Sequence, residues 1–176
     1  MTDVKTASSF GITRRKRFGV FSAVLGILLS IGAFIWYGWA SATVLRISDW
    51  KTGEVYIEAP AKAGDHLFFG WMHSLEKIPW NEYYHIAPDE TLVLDTISFP
   101  AFGAGIPENK GTTCRVENGL IYMEDIGQVF DEFVWINSHY AVRDIRLNDT
   151  LITSGTRLPE HTRLRLKIER RFLSDK

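Results

Sequence analysis

The hydrophobic pattern divides the chain in two. From Phe18 to Ala40 runs FGVFSAVLGILLSIGAFIWYGWA, without a charged residue and without alternation. A helix of that length extends about 34 Å at about 1.5 Å per residue, enough to cross the hydrocarbon core of a bilayer. At that depth a backbone must satisfy its own hydrogen bonds, which selects a helix. Trp36, Tyr37 and Trp39 gather at its far end, where amphipathic rings favour the headgroup region.

Beyond residue 42 the period changes to two. Leu45 and Ile47 alternate with Arg46 and Ser48, a turn follows at Asp49 to Gly53, and Val55 and Ile57 continue in a second run. His66 to His73 is apolar on both faces, as a central strand packed on two sides would be. Further runs predict strands over Glu82 to Ile86, Leu92 to Phe99, Thr113 to Val116, Leu120 to Glu124, Glu132 to Ile136 and Ala141 to Leu147. The clearest alternation comes near the end, where Leu164, Leu166 and Ile168 interleave with Arg163, Arg165 and Lys167. Those bases read as a solvated face, with contact to anionic headgroups or an acidic partner as the second reading. About eight to ten short strands with regular turns predict a mainly β fold, either an antiparallel β-sandwich or a partly closed barrel. The expected organisation is a basic tail over 1–17, a transmembrane helix over 18–40 and one β domain over 41–176.

Charge sets the orientation. The first 17 residues hold Lys5, Arg14, Arg15, Lys16 and Arg17 against Asp3 alone, although the 176-residue chain carries a net charge of -1. Basic residues beside a span stay in the cytoplasm, so the expectation is a single-pass protein of the cytoplasmic (inner) membrane. Its N-terminus lies inside and its β domain outside or in the periplasm. Ala40-Ser41-Ala42 offers a small-x-small cleavage site, but the apolar run is longer than a signal-peptide core and bulky rings precede the site, so a retained anchor is preferred. Outside the tail and the last strand there is no broad basic surface, which argues against a nucleic-acid partner. The one cysteine, Cys114, can form no internal disulfide and reads as a small strand or core residue.

Two segments hold the candidate chemistry: WMHSLEKIPWNEYYH over Trp71–His85, and FPAFGAGIP over Phe99–Pro107. His73 ends one strand and Glu82 begins the next, so a hairpin would bring them together at its mouth, where the carboxylate would favour a charged imidazole. The structural reading of that pair, a hydrogen bond closing the hairpin, is preferred to a ligand or catalytic site. Ser74 follows His73 directly, and neighbouring strand residues face opposite ways, so a Ser74–His73 couple is geometrically poor. Glu76 and Lys77 face solvent in the loop, and Pro79 fixes its path. In the second segment Gly103 and Gly105 permit left-handed backbone and Pro107 stiffens the exit. Successive N–H groups there could cradle an anion, but a tight turn or bulge is the preferred reading. The five histidines show no compact ligand spacing, and no metal or cofactor is expected.

HSLEKIPWNE from His73 to Glu82, followed by FGAGIP from Phe102 to Pro107, resembles the domain-of-unknown-function family numbered 1850. His73, Ser74, Glu76, Lys77, Pro79, Glu82, Gly103, Gly105 and Pro107 match the family's pattern; Trp80 departs from it, which leaves the loop's surface open. The resemblance runs over roughly Val44 to Ile152. It implies a small bacterial protein with a membrane-spanning N-terminus and an extracytoplasmic β domain, encoded beside TAXI-type TRAP transporters. Those transporters take up organic acids with a solute-binding protein and an ion gradient.

Three functions follow as expectations. The first is an accessory protein of such a transporter, bound to its membrane subunits or its solute-binding protein, with Trp80 and Tyr83 exposed at the contact. The second is a module in which His73, Lys77 and the glycine turn bind a small carboxylate. The third, ranked last, is a hydrolase using His73 as base and Glu82 as its orienter. No enzyme is the preferred expectation, because no nucleophile lies in phase with the histidine.

Overall fold

The computed structural model describes the backbone of residues 14–40 and 42–171, and the side chains of residues 24–38 and 42–171. The chain divides into two units between Ser41 and Ala42. In the first, helix α1 spans Arg14–Ala40, and its described side chains, from Val24 to Gly38, are all exposed. Among the described residues no helix is long and apolar enough to cross a membrane. The expected tail lies outside the described residues over 1–13.

The second unit is β apart from its loops and a single 3-10 turn at Gly155–Arg157. Its strands are β1 (Thr43–Asp49), β2 (Val55–Pro60), β3 (His66–Met72), β4 (Pro79–Ile86), β5 (Leu92–Phe99), β6 (Thr113–Glu117), β7 (Leu120–Glu124), β8 (Gln128–Phe130), β9 (Phe133–Ile136), β10 (Val142–Leu147), β11 (Thr150–Thr153) and β12 (Arg163–Arg170). They form two sheets. The smaller runs β2-β1-β12-β9, and the larger runs β11-β10-β3-β4-β5-β7-β6 with β8 paired to β5. The pairs are antiparallel throughout, and the sheets do not close into a barrel.

The period-two runs place their apolar residues in the core, although β1 is buried on both faces. Leu45 and Ile47 of β1 and Leu164, Leu166 and Ile168 of β12 line the small sheet. Leu67 and Phe69 of β3, Ile97 and Phe99 of β5, and Ile145 of β10 line the large one, and all of them join one cluster. Burying each such side chain stabilises the fold by about 1.5–3 kcal/mol. β3 lies between β10 and β4, but it is not packed on both faces as its hydrophobic run led one to expect: Leu67 and Phe69 are buried, while His66 is exposed and Phe68 half-buried on the other face.

Four strands depart from the pattern. β4 begins at Pro79, ahead of the expected Glu82, with the proline at the strand's first position, where its missing N–H is tolerated. β8 and β11 are too short to show alternation. On β1, Arg46 does not face open water: it is 8% exposed and pairs with Glu58 at 2.9 Å and Glu169 at 3.0 Å. Paired acids on the neighbouring strands make that burial tolerable. On β12, Arg163 lies 4.0 Å over the Trp50 ring and Arg165 approaches Glu132 at 3.8 Å.

Candidate functional site

The turn between β3 and β4 is short because its backbone closes on itself. The N–H of His73 donates to the Ile78 carbonyl at 2.9 Å, and the N–H of Lys77 donates to the His73 carbonyl at 2.9 Å. Lys77 takes a left-handed conformation, φ 57°, to complete the loop. Ser74, Leu75, Glu76 and Lys77 are therefore exposed at its tip, while His73 stays buried. The His73 ring lies 6.0 Å from the Trp71 ring and 5.8 Å from the Trp80 ring. Its Nδ1 accepts a long hydrogen bond, 3.4 Å, from the Glu76 N–H.

The glycine segment folds back onto this turn. The N–H of Ala104 donates to Glu76 Oε1 at 2.7 Å. Gly103 approaches so closely that a Cβ there would come within 2.5 Å of Glu76 Cδ. Gly105 has φ +80°, and a Cβ on it would touch the His73 ring at 3.6 Å and Leu75 at 3.8 Å. Ile106 then turns inward and is buried, and the exposed Phe102 packs edge-on to Phe99 with ring centres 5.5 Å apart. The two segments are thus one unit, joined by a charge-assisted hydrogen bond between loops. His73, Glu76, Gly103 and Gly105 come together; Pro107, half-buried, follows them. Lys77 points elsewhere, its ammonium 5.7 Å from the Tyr140 ring.

The expected His73–Glu82 pair is not formed. The hairpin sets Met72 opposite Pro79, Trp71 opposite Trp80 and Phe69 opposite Glu82. Glu82 therefore sits about 13 Å along the strand from the end of the turn, at about 3.3 Å per residue. The Trp80 indole stands between them: its ring faces His73, and its Nε1 donates to Glu82 Oε1 at 3.0 Å. The Tyr84 hydroxyl donates to the other oxygen at 2.7 Å. Trp71 Nε1 is near enough to favour the charged carboxylate but closes no hydrogen bond of normal geometry. Burial pushes the Glu82 carboxyl above its ordinary value despite these donors and the charge of Lys110. The Tyr84 hydroxyl is likewise pushed up, first by burial and then by the Glu82 charge.

Trp80 is not a contact residue. It is 6% exposed and stacked on Phe99 at 5.2 Å. Tyr83 lies on the opposite face of β4, away from the turn's glycine partner. The exposed apolar groups at the coupled loops are instead Leu75, 67% exposed, and Phe102, 54% exposed. Neither drew notice in the sequence, although a leucine inside the polar stretch His-Ser-Leu-Glu-Lys was the available signal. The glycine segment forms a tight turn, with the Ile106 N–H donating to the Gly103 carbonyl at 3.2 Å, and the Ala104 N–H alone meets the Glu76 carboxylate.

Both loops and every strand from β4 to β11 lie inside the segment that comparison with protein families recognises. Residues 68–153 match the family model described as Domain of unknown function (DUF1850). The DUF1850 segment therefore supports the resemblance carried by HSLEKIPWNE and FGAGIP. It takes in the large sheet from Phe68 onward and leaves β1, β2 and β12 of the small sheet outside. Comparison with curated proteins and with solved structures gives no match.

Proposed function

We propose that this chain is a membrane-anchored, extracytoplasmic accessory protein of a TAXI-type TRAP transporter for organic acids. It docks on a membrane subunit or the solute-binding protein through the coupled loops. One observation carries the docking surface: the Ala104–Glu76 hydrogen bond ties two loops into a preformed unit whose outer corners are the exposed Leu75 and Phe102. A preformed surface loses little conformational entropy on binding, and exposed apolar side chains on it supply the contact. The transporter as partner follows from the family resemblance, and the anchor from the charge-free run over 18–40. The described side chains of α1, exposed on every side and largely apolar, suit a helix that meets lipid. On this reading the β domain is a two-sheet sandwich held outside the cytoplasm.

The carboxylate-binding alternative has weaker support, because the donor at Ala104 is already occupied by Glu76. Co-purification of the full chain in mild detergent, followed by mass spectrometry, tests the proposal. Transporter subunits should accompany the wild type and be lost from the double variant Leu75→Asp, Phe102→Asp. Recovery of no transporter component, or equal recovery with the double variant, sinks it.

A further inference from the structure

The outer face of the large sheet carries a groove that the docking surface does not use. It encloses about 830 Å³ across β10, β3, β4 and β5. Its floor is aromatic. Gly70 has no side chain, and a Cβ there would come within 2.9 Å of the Phe68 ring and 2.8 Å of Asp144 Oδ1. The Phe68 ring therefore lies down along β3 over the glycine instead of standing off the sheet. Tyr83, on the neighbouring strand, meets it edge-on at 5.2 Å and 62°, so floor and wall form a corner.

The rims are made by two β-bulges. Between β4 and β5 the register passes from Tyr83 opposite Thr96 to Tyr84 opposite Leu94, which leaves Asp95 as the extra residue. Between β10 and β3 it passes from Val142 opposite Trp71 to Asp144 opposite Gly70, which leaves Arg143 as the extra residue. Both extra residues line the groove, one on each side of the aromatic corner. Bulges re-aim side chains in this way at the edges of sites.

Part of the charge in the groove is paired in place, while Arg143 and Asp149 make no ion pair among the described residues. Arg146 Nε donates to Asp144 at 2.6 Å, and His85 Nδ1 bonds both oxygens of Asp95 at 2.8 and 2.9 Å. Among the described residues, the two terminal nitrogens of Arg146, the Tyr83 hydroxyl and the His66 ring have no hydrogen-bond partner. The Phe68 ring offers a flat apolar surface to C–H groups, and the Arg146 guanidinium, 6.0 Å over its centroid, sets donors beside that surface. We infer that this groove binds a neutral oligosaccharide, one pyranose ring lying on Phe68 against Tyr83, with its hydroxyls bonded to Arg146, Asp144 and Asp95. An organic anion fits less well, because Asp95, Asp144 and Asp149 offset the two arginines along the lining. The inference does not rest on the transporter reading.

The test uses the full chain in a sugar-free detergent with maltose, cellobiose and N,N′-diacetylchitobiose as probes, read by saturation-transfer NMR on the sugar ring protons. At least one sugar should receive saturation, and Arg146→Ala, at an exposed position, should weaken its binding at least fivefold. Phe68→Ala should abolish it; should that variant fail to fold, Tyr83→Phe, which removes only the hydroxyl, takes its place and should weaken binding severalfold. No transfer to any of the three sugars overturns the inference. So does transfer that Arg146→Ala and Tyr83→Phe leave unchanged, or transfer that succinate displaces at equal concentration, which would mark an anion site.

Discussion

The two faces of β4 are built from alternate residues of one short segment, yet they treat polar groups in opposite ways. Inward, Trp80, Glu82 and Tyr84 sit beside Phe69 and Ile97, and the carboxylate takes its hydrogen bonds from an indole and a phenol. Outward, Tyr83 and Asp95 line a groove, and the carboxylate of Asp95 takes its partner from the His85 imidazole, itself partly exposed. Burial raises the Glu82 carboxyl above its ordinary value, because lost hydration outweighs the donors gained. The inner face spends its polar groups on each other and on packing, while the outer face leaves some of them available to a ligand.

The contrast breaks most visibly at Trp80. Truncating it to alanine removes the ring stacked on Phe99 and a donor to Glu82, and should destabilise the β domain by about 3–5 kcal/mol in urea unfolding. A loss below 1 kcal/mol would show that the inner face is not packed as described. Tyr84→Phe keeps the ring and removes only the hydroxyl; leaving Glu82 short of a donor should cost about 1–3 kcal/mol by the same measurement.

Glu82 also gives a pH signature. Below the ordinary value of 4.5 both folded and unfolded chains hold the proton, and ionisation carries no penalty. As pH rises, the unfolded chain releases its proton first, because the folded value is the higher one. Stability contributed by Glu82 is therefore present at low pH and lost as pH climbs through the raised folded value. Glu82→Gln should flatten that fall, gaining on the wild type with increasing pH; parallel unfolding curves at all pH values would remove Glu82 as its origin. The smallest effect belongs to the outer face, where Arg146→Ala should leave stability within about 0.5 kcal/mol. A large loss there would mean that the groove is a structural element and not a site.

The coupled loops show how far residue patterns reach. His73, Glu76, Gly103 and Gly105 stood out as types, and the glycines serve as expected: Gly105 takes positive φ and Gly103 allows close approach. Which partner each would find was not legible. The expected His73–Glu82 contact depended on hairpin register, and closing the turn at Ile78 with β4 starting at Pro79 moved Glu82 opposite Phe69. The groove was less legible still, since a bulge adds one residue to a strand without altering its composition, and neither Asp95 nor Arg143 differs in sequence from an ordinary solvent-facing residue.

By itself, the sequence determined the β class of the domain, most of its strands and their buried faces, because alternation is a local property that each strand carries alone. It also marked the two loops, because glycine and proline restrict backbone locally. Only the tertiary structure decided the division into two sheets, the burial of Trp80 and Arg46, the joining of Ala104 to Glu76 and the two bulges that rim the groove. Those outcomes depend on which strands pair and in what register, and pairing energies are summed between residues far apart in the chain.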